Sequence, residues 1–213
     1  MSRQTDLRSF AEYWLRRPLT PDDAIDVPSS VQLPKALRKI YETFGGCRAL
    51  TTPHNRLLPP RSIKKQGEYW IFYVENQNVA CWAFNAEDVG ADDPLVYQGS
   101  KDDDNSLVWY SEEMTMSEWI RVMTLWQIVN GGYENGAYAS GIPDAAKIVS
   151  AIYPPVGGHP DGSTRFFGAD GALLCLAGNE SAPSVWAAAA DKSAFEALLN
   201  RLGFEWDYNS LED

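Results

Sequence analysis

Apolar positions recur at helical intervals in four stretches of the chain. Leu7, Phe10, Ala11, Trp14 and Leu15 do so behind Thr5 or Asp6 as a cap, and Pro18 closes the pattern. Leu37, Ile40, Tyr41 and Phe44 repeat between Pro34 and Gly45-Gly46. This predicts a short amphipathic helix over 33–44, with the proline in its first turn, where no hydrogen bond is lost, and the glycines supplying a left-handed stop. Behind Ser117 as a cap, Trp119, Ile120, Met123, Trp126 and Gln127 share a broad face, stopped by Gly131-Gly132. Near the end, Ser193 and Glu196 have capping-box spacing, and Phe195, Leu198, Leu199 and Leu202 form the apolar side before Gly203.

Between these helices the pattern turns to strands. Tyr69 to Phe84 reads as a hairpin, two apolar-rich strands joined through the polar Glu75-Asn76-Gln77-Asn78. Trp82 is expected in the core, and Tyr69 and Trp70 point to opposite faces, so one of them meets solvent or a second layer. Short strands follow at 94–98 and 107–110, each preceded by an acidic turn, Glu87 to Asp93 and Asp102 to Asn105. In the last third, 164–167 and 173–177 flank Ala169-Asp170-Gly171, a tight-turn signal, and 184–189 reads as a third strand. Residues 133–162 are rich in Gly, Ala and Pro and offer one short helix over 143–152. The expected organisation is therefore an α+β core over 1–132, a linker with a short helix over 133–162, and a hairpin-strand-helix extension over 163–213. The extension either continues the core's sheet or packs as a second layer. Helices and strands do not alternate regularly, so the fold class is α+β with a largely antiparallel sheet and packed helices.

Leu33-Pro34 at the helix start, Gly45-Gly46 at its end, and Glu75-Asn76-Gln77 with Val79 and Trp82 across the hairpin resemble the SUKH superfamily. This is the cell-wall-assembly-regulator homology group, which includes many bacterial immunity proteins. The resemblance covers Leu33 to Gly132. Two features depart from it: Pro53, Pro59 and Pro60 between Cys47 and Lys65, and the chain beyond Gly132. The resemblance implies a SUKH-like core and a bacterial immunity protein that binds and neutralises a cognate protein toxin by occlusion, without turnover. Toxins of this group are frequently nucleases, with basic substrate grooves. From a different class comes an intracellular regulatory or scaffolding module that recognises an endogenous protein. A toxin gene beside this one separates the two.

Composition narrows the function classes. A chain of 213 residues with 45% hydrophobic residues, eight tryptophans and ten tyrosines can bury a sizeable core, which argues against disorder. A formal charge of −11 opposes binding to a nucleic-acid backbone or an anionic membrane and favours a basic protein partner. The carboxylates nearest the hairpin and the following strands, Asp88, Asp92, Asp93, Asp102, Asp103, Asp104, Glu112 and Glu113, are the candidate partner-binding rim. Three dispersed cysteines without CxxC spacing fit a reduced compartment. With no apolar leader after Met1 and no run of about 20 apolar residues, the expectation is a cytoplasmic protein.

Catalytic and cofactor chemistry finds no motif. His54 and His159 sit in Pro- and Gly-rich loops without neighbours at metal-ligand spacing. GxSxG, GxGxxG and GxxxxGK are missing, and the Asp102 to Asn105 turn lacks the spacing and glycine of a calcium loop. No metal, cofactor or catalytic residue is assigned, and the protein is not expected to be an enzyme.

Overall fold

The computed structural model describes residues 6–102 and 106–212. The chain divides into two compact units, Met1–Ala11 with Leu19–Arg121, and Glu12–Pro18 with Val122–Asp213. Both are α+β with antiparallel sheets.

The first unit contains the start of α1 (Leu7–Leu15), then α2 (Lys35–Phe44), α3 (Arg48–Thr51), β1 (Arg56–Leu57), β2 (Lys64–Gln66), β3 (Tyr69–Val74), β4 (Ala80–Asn85), β5 (Leu95–Lys101) and β6 (Leu107–Thr115), and the start of α4 (Met116–Gln127). Asp6 caps α1, its carboxylate accepting the Ser9 N–H at 3.1 Å. In α2, Pro34 sits at the cap position and not inside the first turn. Gly45 ends this helix in the right-handed region at φ −57°, so the expected left-handed stop does not form. The two glycines answer to crowding instead. A Cβ on Gly45 would lie 2.7 Å from Tyr41 Cα, and one on Gly46 would lie 2.9 Å from the Asp22 carbonyl. The helix buries Leu37, Ile40, Tyr41 and Phe44, and the Tyr41 hydroxyl donates to the Leu58 carbonyl.

The strands of this unit form one six-stranded sheet in the order β1-β3-β4-β5-β6, with β2 pairing β3 alongside β1. Register places Tyr73, Trp82, Gln98 and Tyr110 in one cross-strand row, and Val74, Cys81, Gly99 and Trp109 in the next. Side chains of adjacent rows point to opposite faces. The first row faces α4: Trp119 packs edge-on against Phe72 and Tyr73, with ring centroids 5.4 and 5.1 Å apart, and lies 5.6 Å from Trp82. Phe72 joins that face through the irregularity between Ile71 and Tyr73. Trp82 is buried, as its strand pattern predicts. On the opposite face Leu58, Ile71, Cys81 and Ala83 make a small second cluster. Tyr69 and Trp109, stacked at 4.4 Å, lie against it. Trp109 lies over Gly99, where an added Cβ would be 2.8 Å from the indole.

The expected boundary after Gly132 differs from the observed one, which falls inside α4 at Arg121 and Val122. The second half of α4 belongs with the second unit because Trp126 meets Trp186 at 5.4 Å and Leu125 closes on Gly157. The cap of α4 is Thr115, not Ser117: its hydroxyl accepts the Glu118 N–H while Glu118 accepts the Thr115 N–H, a reciprocal box. At the far end of the helix Gly131 takes φ 112°, as a glycine stop requires.

The second unit adds β7 (Asn135–Ala139), α5 (Ala145–Ile152), β8 (Pro155–Gly158), β9 (Thr164–Ala169), β10 (Ala172–Ala177), β11 (Ser184–Ala189), α6 (Lys192–Leu202) and β12 (Tyr208–Asn209). The strands order as β12-β7-β11-β10-β9-β8. The segment expected as a linker over 133–162 thus supplies two strands of this sheet as well as α5. The Asp170-Gly171 turn has φ 51° and 84°, the doubly left-handed geometry that twists a two-residue hairpin correctly. Asp191, not Ser193, caps α6, accepting the Ala194 N–H at 2.8 Å. Phe195, Leu198 and Leu202 then pack with α5 residues Ala145 and Val149 and the sheet residues Phe167, Leu174 and Val185.

Candidate functional site

The candidate carboxylates fall at two ends of the first unit's sheet. Asp88 lies in the 3₁₀ turn Ala86–Gly90 between β4 and β5, and Asp92 and Asp93 lead into β5. Glu112 and Glu113 lie near the end of β6, whose Thr115 pairs with Leu95 at the start of β5. These five therefore share one end of the sheet. Asp102 follows the last residue of β5, seven residues along, which puts it roughly 20 Å away at the opposite end. Asp103 and Asp104 lie outside the described residues.

Within the gathered five, structural duties differ. The Asp93 carboxylate accepts the Ser117 N–H at 2.8 Å, satisfying an open donor in the first turn of α4. Asp92 pairs with Lys35 at 2.6 Å, and because both side chains are largely exposed the pair contributes little stability. Glu112 is half-buried and accepts the Trp82 indole N–H at 2.6 Å. Glu113 is exposed, with its backbone left-handed at φ 55° where the β5–β6 pairing loses register. Asp88 is half-buried. Asp102 accepts both the Ser106 N–H and hydroxyl, at 2.8 and 2.6 Å. At the hairpin tip Glu75 behaves likewise, accepting the Gln77 and Val79 N–H groups.

Two exposed apolar side chains of the same sheet were not singled out from sequence. Tyr110 is 58% exposed and Val108 39% exposed, both on β6 and both on the face that carries Trp82 and Glu112. The signal was legible: Leu107, Val108, Trp109 and Tyr110 are apolar at every position, so both faces of that strand carry hydrophobic groups. Leu107 and Trp109 pack against the small cluster, which leaves the other pair to solvent.

All three cysteines are buried, and burial pushes the Cys81 and Cys175 thiols up, away from the reactive thiolate form. Among the described residues no group of three or more His, Cys, Asp and Glu side chains is placed to hold a metal ion. In the second unit a polar pocket of about 280 Å³ is lined by Asp161, Ser163, Arg165 and Glu180. Next to it Asp161 lies 2.7 Å from His159 Nδ1 and accepts the Ser163 N–H at 2.8 Å. The carboxylate thus stands between the serine and the imidazole, whereas a serine nucleophile needs its hydroxyl on the base.

That loop carries a pH signature. Hydrogen bonds from Ser163 and then His159 lower the Asp161 carboxyl to about 2, below its unfolded value of roughly 3.9. A depressed carboxyl contributes stability that is complete above the unfolded value and lost as pH falls through the folded one. Asp161→Asn is therefore expected to be less stable than the parent at pH 6. The gap should close between about pH 4 and pH 2, followed by denaturant midpoints. A gap unchanged at pH 2 would contradict the assignment.

Among the described residues no helix is long and apolar enough to cross a membrane. No family model matches the chain, and no curated protein or solved structure matches it.

Proposed function

We propose that this chain is an immunity-type protein of SUKH-like build that neutralises a basic protein toxin by covering it, without turnover. The observation that carries the reading is the acidic end of the first sheet, where Asp88, Asp92 and Glu113 gather, together with the uncovered Tyr110 and Val108 farther along β6. An exposed aromatic on a sheet with an acidic end is suited to a basic surface: the ring supplies an anchor, and the charges supply steering. The net charge of −11 extends that steering beyond contact range. Neutralisation by occlusion needs shape and charge and no reactive group.

The test starts with capture of the partner from the source cells and its identification by mass spectrometry. The expected partner is a basic protein whose activity is titrated out stoichiometrically while the chain itself is unchanged. Association is then compared for the parent and for the variant Asp88→Asn, Asp92→Asn, Glu113→Gln. This set avoids Asp93 and Glu112, which hold α4 and Trp82 in place. The variant should associate about tenfold more slowly at low salt and show a flatter salt dependence. Equal rates, or a partner that is chemically altered by the chain, would overturn the proposal.

A further inference from the structure

The two edges of the first unit's sheet are built differently. One is broken into β1 and β2, of two and three residues, with Pro59 and Pro60 between them; β2 is Lys64-Lys65-Gln66, exposed throughout. Short strands, prolines and lysines are the devices that keep an edge from pairing with another chain. The other edge is β6, nine residues long, with no lysine, arginine or proline. It pairs with β5 on one side, and among the described residues no strand pairs with its other side. Its irregularity sits beyond Ser111, so Leu107 to Ser111 run in unbroken register against Lys101 to Tyr97. This stretch holds the exposed Val108 and Tyr110.

An edge that no strand covers among the described residues, with a regular register and exposed apolar side chains at alternate positions, fits one kind of occupant, an extended peptide segment. Charge selects its chemistry. Glu112 and Glu113 follow the regular stretch, so a segment paired along it runs past two carboxylates at that end. A second copy of this chain is disfavoured because each copy brings a charge of −11. We infer that β6 is a strand-acceptor edge: an extended segment of a basic protein pairs with Leu107 to Ser111. That segment lays apolar side chains two residues apart beside Val108 and Tyr110, and places a cation against the exposed Glu113. This rests on the binding-protein reading above and specifies its mode.

The probe is a synthetic peptide with two lysines followed by alternating threonine and valine, added to the full chain. The control is the same peptide N-methylated at alternate backbone nitrogens, which keeps the side chains and removes the pairing donors. Amide hydrogen exchange should slow by about tenfold or more in Leu107 to Ser111 with the plain peptide and stay unchanged with the methylated one. Val108→Lys places a charge at a solvent-exposed position, so it should fold normally and lose the protection. Tyr110→Thr, which keeps strand propensity, should weaken it. Protection that is absent, that survives N-methylation, or that appears elsewhere would overturn strand addition. A concentration-dependent dimer with β6 protected and no peptide present would assign the edge to self-pairing and overturn the basic occupant. The charge-variant experiment above is independent of all these outcomes: if it succeeds while edge protection fails, only the binding mode is lost.

Discussion

Trp119→Ala is expected to lower the unfolding free energy by about 3–5 kcal/mol, one of the two largest effects of any single substitution argued for this chain. The indole is 1% exposed and meets the rings of Phe72, Tyr73 and Trp82, so its removal leaves a space bounded by three aromatic groups from two strands. Aromatic rings in fixed register on a sheet cannot collapse into such a gap by rotamer change alone, which keeps the cavity term large. Two smaller losses follow from the same truncation: the edge-to-plane geometry with Phe72 and Tyr73, and the packing that holds Trp82 against Glu112. The denaturant midpoint measures the effect. A loss under about 1 kcal/mol would mean that α4 does not anchor the sheet.

Elements whose information is local were legible in the sequence. The Asp170-Gly171 hairpin was, because both turn residues need left-handed backbone that Asp and Gly tolerate. So was β11, since Ser184 to Ala189 is a continuous small and apolar run bounded by Pro183 and Asp191. The segment 133–162 was not, for a physical reason. Asn135–Ala139 and Pro155–Gly158 are dominated by Gly, Ala and other weak strand formers without polar–apolar alternation, and they become strands because β11 and β9 offer them ladders. Helix caps were misplaced by two residues at Ser117 and Ser193, where a neighbouring Thr115 and Asp191 reach the open donors better. Gly45-Gly46 shows that a glycine pair has two readings, freedom of φ or closeness of a neighbour, and here the neighbour decides.

The site divides along the same line. That Asp88, Asp92 and Asp93 lie near one another follows from their adjacency in the chain, and Glu112 and Glu113 join them because two antiparallel strands bring the start of one to the end of the next. The same geometry removes Asp102, which is close in sequence to Glu112 and far in space. Whether β6 is an edge or an interior strand is a property of the whole sheet. Its own residues state only that both faces are apolar.

The second unit answers to a different anchor. Phe195→Ala is expected to cost about 3–5 kcal/mol of unfolding free energy, because Phe195 is wholly buried in the first turns of α6. It packs among Leu174, Val185, Val149 and Leu198. The helix is held at its start by the Asp191 cap and at its end by Gly203 at φ 62°, so it cannot shift along its axis to fill the space without losing one or both. Phe204 provides the control. It lies just past the helix and is only partly buried, so Phe204→Ala removes the same side chain from a site that was never sealed and should cost clearly less. Equal losses at the two positions would show that α6 packs as a loose lid, with no buried anchor in its first turns. The expected order, Phe195 well above Phe204, is read from paired denaturant curves with unchanged slopes.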